Sequence, residues 1–197
     1  MEIPPIPVGT RQGRQQILPF EEGQKAGGHN SENPELYAIY PFRLYGVGKP
    51  DIELARHTFD ARAVKANNCW HQDGVQAVLT GDTVTAQKNA ISYFSNKDRR
   101  LRFPAFWAKG HDYPPDEDNG GNGMATLQNM LMQCDGKRIL LLPAWPAEWD
   151  ADFKLHAPMQ TTIEASVHQG KITKLRVTPE SRRGDVVLGT GVEMSKP

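Results

Sequence analysis

The apolar residues of this 197-residue chain change period once. Up to about residue 136 they recur at helical spacing, and after about 158 they alternate. Helical spacing lines one stripe of a cylinder, and alternation lines one face of a pleated strand. Helices first and strands last therefore predict an α+β fold, with the join in 136–158.

The helical part opens at Asn33-Pro34-Glu35. Asn suits a cap, Pro the first helical position and Glu the positive end of the helix dipole. Leu36, Ile39 and Tyr40 then share one face, which Pro41 ends. Pro50-Asp51 opens a second helix with Ile52, Ala55 and Phe59 on one side. A third is expected over 71–80, with Val75, Val78 and Leu79. Gly81-Asp82 ends it, and Asp82 caps a fourth that carries Val84, Ile91 and Phe94 inward. Residues 96–123 read as irregular and hold Phe103, Phe106, Trp107 and Tyr113. A fifth helix follows over about 121–133, with Met124, Leu127 and Leu131 on one stripe. Helix, short loop, helix is the rhythm of antiparallel hairpins.

Strands follow. Ile139 to Leu142 is a short apolar run ended by Pro143. In 162–168, Ile163, Ala165 and Val167 alternate with polar residues. Gln169-Gly170 turns the chain into a return strand over 171–178, with Leu175 and Val177 inward, and 185–188 is a last strand. Pro and Gly break every pattern in the first thirty residues. The expected organisation is an irregular segment 1–30, a helical-hairpin region 31–135 and a β domain 136–197.

Composition removes several classes of partner. Lys+Arg and Asp+Glu are 23 each, so no basic stripe awaits nucleic acid. No polybasic segment and no run of ~18 apolar residues points to a membrane. Glu2-Ile3-Pro4-Pro5 after Met1 is not a secretory leader. Cys69 and Cys134 read as two thiols or one bridge, not as a zinc motif. The six His lack ligand spacing, and neither a Gly-x-Ser-x-Gly elbow nor a phosphate loop is present. No metal or cofactor is expected.

Two stretches carry a family resemblance. The first runs from Asp116-Glu117-Asp118-Asn119-Gly120-Gly121-Asn122-Gly123 through Met130-Leu131-Met132-Gln133 to Leu140-Leu141-Leu142-Pro143-Ala144-Trp145-Pro146. It resembles the C-terminal signature of glycoside hydrolase family 95, the α-L-fucosidase-like enzymes. There a Gly/Asn-rich turn bearing an Asp opens a helix that ends in Met-Leu-x-Gln, and a Leu-Leu-Pro-Ala-x-Pro strand follows. The second, Leu36-Tyr37-Ala38-Ile39-Tyr40-Pro41 with Glu53-Leu54-Ala55 and Trp70, is similar to the preceding helices in order and spacing. The resemblance covers about 29–178. It implies an (α/α)6 toroid of helical hairpins followed by a small antiparallel β domain. It also implies an inverting glycosidase acting on an oligosaccharide or polysaccharide, outside the cytoplasm in the periplasm or secreted. Five helices do not close such a ring, so the chain is expected to be the C-terminal part of a larger enzyme.

By the same resemblance Asp118 stands where the family holds the Asp that supports water activation. An inverting pair needs carboxyls roughly 6.5–9.5 Å apart. Backbone N–H groups at a helix start would keep Asp118 ionised, as a base needs; capping that helix is the other reading. Gly120 replaces the family's usual Asn, with Asn119 or Asn122 as substitutes. The family's general acid lies upstream of the matched region, and Glu32 in His29-Asn30-Ser31-Glu32-Asn33 is the nearest stand-in. That polar cluster reads either as sugar contact or as a capping segment. In Trp70-His71-Gln72-Asp73 the indole would stack on a sugar, with Gln72 and Asp73 binding hydroxyls; Trp70 as plain core is the alternative. Trp145 and Trp149 read as packing at the join. Two further functions stay open: a glycan-binding protein without hydrolysis, and a vestigial product.

Overall fold

The computed structural model describes residues 5–19, 32–67, 69–95 and 117–195. Strands β1 (Val8–Arg11) and β2 (Arg14–Ile17) form an antiparallel hairpin. A 3-10 turn at Pro34–Ala38 leads to helices α1 (Ile52–Ala61), α2 (Asp73–Thr80), α3 (Thr83–Ser95) and α4 (Glu117–Leu131). Then come β3 (Met132–Asp135), β4 (Arg138–Leu141), β5 (Ala151–Ala157), β6 (Thr161–His168), β7 (Lys171–Thr178), β8 (Val186–Leu188) and β9 (Glu193–Met194). One sheet has the order β3-β4-β8 and another β5-β6-β7-β9. The chain is a small α+β protein.

Every residue of α2 is buried, and α1, α3 and α4 all pack on it. Its Val75, Val78 and Leu79 join Leu36, Ile39, Phe59, Ala90 and Met130 in one core cluster. The approach of α3 and α4 needs Gly74. A Cβ there would sit 2.6 Å from Thr126 Oγ1 and 2.8 Å from Tyr93 Cε2. Gly81, at φ 79°, caps α2, and Asp82 Oδ1 accepts the Thr85 N–H at 3.0 Å to cap α3. β1–β2 lies against α1, where the Ile17 N–H donates to Thr58 Oγ1 at 2.9 Å.

The second core cluster belongs to the sheets. Ile163 and Val167 of β6 meet Ile172 and Val177 of β7, with Ile139 and Leu141 of β4 beneath. The β6–β7 register shifts between Ser166 and Val167. That bulge is why Ile172 turns inward although strict alternation from Leu175 and Val177 would place it outward. Trp145 packs against both clusters, and its indole Nε1 donates to the Trp149 carbonyl at 2.9 Å. α4 ends at Leu131 and β3 begins at the next residue, Met132. Met130 lies in the helical cluster and Leu131 in that of the sheets.

Several expectations are corrected. The partial (α/α)6 toroid is not the fold. Among the described residues there are four α-helices and three small sheets, and the helices gather round α2 instead of pairing along a ring. Asn33-Pro34-Glu35 starts only a 3-10 turn. Asn33 makes no cap bond there, because its side chain is spent on the Val64 backbone. Val84, Ile91 and Phe94 point outward, 76%, 51% and 37% exposed. Small Ala86 and Ala90 face α2 instead, with Asn89 and Tyr93, because close helix approach favours small side chains. Met124 is likewise exposed. Residues 8–17, read as irregular, form the β1–β2 hairpin round Gln12-Gly13. Cys69 and Cys134 are not joined by a disulfide.

Gly74→Ala is expected to cost about 1–3 kcal/mol through overpacking. Urea unfolding of the variant against the parent chain measures it.

Candidate functional site

The site is built on the connection between α1 and α2. Arg62 leaves α1 with its guanidinium over the Phe59 ring, 3.6 Å from the centroid. Nε bonds Asp73 Oδ1, and Nη2 donates to Asp73 Oδ2 at 3.1 Å. Both side chains are only 8% exposed. Asn89 of α3 donates a further bond to Asp73 Oδ2 at 2.9 Å, and Asn67 donates to Asn89 Oδ1 at 2.9 Å. The carboxylate at the start of α2 is thus fully engaged, as a buried charge must be.

Between these anchors the connection is tied at three more points. The Asn33 amide bonds both backbone groups of Val64, at 2.9 and 3.0 Å. Tyr93 OH donates to the His71 carbonyl at 2.8 Å. Asn122 of α4 donates to the Cys69 carbonyl at 3.0 Å. Cys69 itself sits in the left-handed region at φ 53°.

The fixed connection walls a cavity of about 180 Å³. Trp70, His71, Gln72 and Asp73 line it, with Gln76 from α2 and Glu32, Asn33 and Tyr37 from the 3-10 turn and its approach. The Trp70 and His71 rings stack with centroids 5.4 Å apart. Gln72 Oε1 is buried and accepts no hydrogen bond among the described residues. Tyr37 OH donates to Glu32 Oε2 at 2.7 Å. That bond, with a smaller contribution from burial, pushes the Tyr37 hydroxyl up from 10.0 to about 12. No group of three His, Cys, Asp or Glu among the described residues could hold a metal ion.

The cavity brings together Glu32, Trp70, Gln72 and Asp73, four of the residues expected at a sugar site. Asp73 is there as a structural carboxylate, since Arg62 and Asn89 occupy both oxygens. Asp118 and Asn119 do not line it. The helix begins at Glu117, so Asp118 stands inside the first turn of α4, exposed, while Asn119 is fully buried. Asp118 does share a helix face with Asn122, four residues on, whose amide holds the Cys69 carbonyl beside Trp70. His29, Asn30, Phe103, Phe106, Trp107 and Tyr113 lie outside the described residues. Gln76 was legible as the residue one turn after Gln72, and Tyr37 as the aromatic of the 3-10 turn. Nothing in the sequence pairs Arg62 with Asp73.

No family model matches the chain, and no curated protein matches it.

Asp73→Ala leaves Arg62 buried without a counter-charge, and unfolding should show a loss of about 3–5 kcal/mol. A second expectation concerns pH. The raised Tyr37 pKa stabilises the fold fully below pH 10.0, and that contribution is lost as pH rises through about 12. Spectrophotometric titration should show an ionisation near pH 12 that Tyr37→Phe removes.

Proposed function

We propose that this chain acts on glycans, as the C-terminal portion of a glycoside hydrolase for α-linked sugars of the fucoside or galactoside type. In this reading the Trp70 cavity holds one sugar ring. One observation carries it: the cavity joins an aromatic ring, Trp70, to a buried acceptor, Gln72 Oε1, that has no donor among the described residues. A sugar has an apolar C–H face and a rim of hydroxyls. Trp70 covers the face, and a hydroxyl donates to Gln72 Oε1, supplying the bond whose absence is costly in a buried acceptor. Gln76 and Glu32 offer further polar contacts round the rim.

For hydrolysis with inversion, Asp118 is the candidate base and Glu32 the candidate acid. Asp118 is open to solvent, on the helix face that is tied to the Trp70 connection. A second reading, glycan binding without hydrolysis, is favoured by the position of Asp118 outside the cavity lining and by the engagement of Asp73.

Methyl α-L-fucopyranoside and methyl α-D-galactopyranoside are the probes, followed by two-dimensional NMR of the labelled chain. One of them should shift the Trp70 indole signal, and Trp70→Ala should weaken it at least about tenfold, or 1.4 kcal/mol. No shift with either sugar, or binding that survives Trp70→Ala, would sink the proposal. Hydrolysis is assayed on the longest open reading frame containing these residues. There Asp118→Asn should slow turnover about 10²–10⁴-fold. Binding without turnover in the parent protein would establish the second reading.

A further inference from the structure

A second chamber, of about 240 Å³, opens beside the first. Arg11 and Gln16 of the β1–β2 hairpin line it, together with Glu35 of the 3-10 turn. Glu32, Asn33 and Val64 line both chambers and so form the wall between them. That wall is rigid. The Asn33 amide holds the Val64 N–H and C=O at 3.0 and 2.9 Å, and Tyr37 holds one Glu32 oxygen at 2.7 Å. The two spaces therefore keep their separation, with Glu32, Asn33 and Val64 between them.

We propose that the second chamber is an adjoining sugar subsite, so that the chain takes glycans of at least two residues laid across Glu32 and Asn33. The inference rests on the reading of the Trp70 cavity given above. The two chambers differ in chemistry. The first offers an aromatic face, and the second a guanidinium, an amide and a carboxyl, with no aromatic side chain among the described residues. A ring in the second chamber is therefore read by its hydroxyl edge. Arg11 donates to it without needing a proton, and its guanidinium is pre-shaped for paired oxygens. Glu35 suits the same task. Its carboxyl accepts from sugar hydroxyls, and burial raises its pKa despite the opposing backbone hydrogen bond and Arg11. Gln16 is held in place by its own amide, which donates to the Arg11 carbonyl at 3.1 Å. A ligand filling both chambers carries its inter-sugar bond over Glu32, one of the three residues that both linings share.

The test compares each methyl glycoside with a disaccharide bearing the same terminal sugar. The pairs are methyl α-L-fucopyranoside with α-L-fucosyl-(1→2)-galactose, and methyl α-D-galactopyranoside with melibiose. In one pair the disaccharide should bind about tenfold tighter, the worth of one or two added charge-assisted bonds. Arg11→Ala should erase that ratio, and the disaccharide alone should shift the Gln16 side-chain amide in NMR spectra. Arg11 is exposed on a hairpin, so the variant keeps the fold. A disaccharide no tighter than its methyl glycoside, or a ratio unchanged in Arg11→Ala, overturns the second subsite and leaves the first standing. Failure of all four sugars overturns the glycan reading, and the second subsite with it.

Discussion

The ion pair between Arg62 and Asp73 is the constraint on which the remainder of the helical part depends. It closes the exit of α1 onto the entry of α2, and Asn89 extends it to α3. Three helices therefore meet at one carboxylate. Burying the pair costs desolvation, which Coulomb attraction offsets only with good geometry and full hydrogen bonding. Both conditions are met here, because Arg62 also bonds the Phe59 carbonyl at 2.6 Å and lies over its ring. An apolar replacement of similar volume would pack α1 on α2 equally well. It would not tie the residue that ends α1 to the first residue of α2 by directed hydrogen bonds.

The cavity separates structural from binding polarity. Asp73, Asn33 and Tyr37 line it, yet their side chains are committed to Arg62 and Asn89, to Val64 and to Glu32. Gln72 Oε1 has no such commitment among the described residues. A rigid frame of hydrogen-bonded groups round that acceptor is a preorganised arrangement. The frame loses little freedom when a ring enters, so more of the contact energy remains as affinity.

Much of the architecture was legible because local chemistry and final environment agree. Gly81-Asp82 carries its own cap and stop, and Ile163, Ala165 and Val167 face a core on one side only. Where they disagree, the sequence misleads. Val84, Ile91 and Phe94 form a valid apolar stripe, but α3 turns its smaller residues to α2, a choice set by the volume available round Gly74. β3 and β5 were missed. Met132 to Asp135 continues a helical pattern without a break, and the alternation of β5 is disguised by the Trp-rich join before it. Asn33 looks like a cap, but a partner thirty-one residues away claims its amide. The site was legible to the extent that it is local. Trp70, Gln72 and Asp73 are consecutive or nearly so, and Glu32 joins them only through the fold. The role of Asp73 was not legible, because it is set by Arg62 and Asn89.

The direct passage from α4 into β3 has a mechanical meaning. A helix resists bending and twisting, and a strand locked in a ladder resists rotation about its axis. Joined with no residue between them, they act as one lever. One end of that lever is tied through Asn122 to the carbonyl before Trp70. At the other end Leu131 is fastened by its carbonyl to the Leu142 N–H at 2.8 Å, among the side chains of the sheets. Any displacement of the Trp70 connection is thus delivered about thirteen ångströms away, at the 1.5 Å rise per residue of a helix, with little loss in between. The sheet region is less an appendage to the cavity than its counterweight.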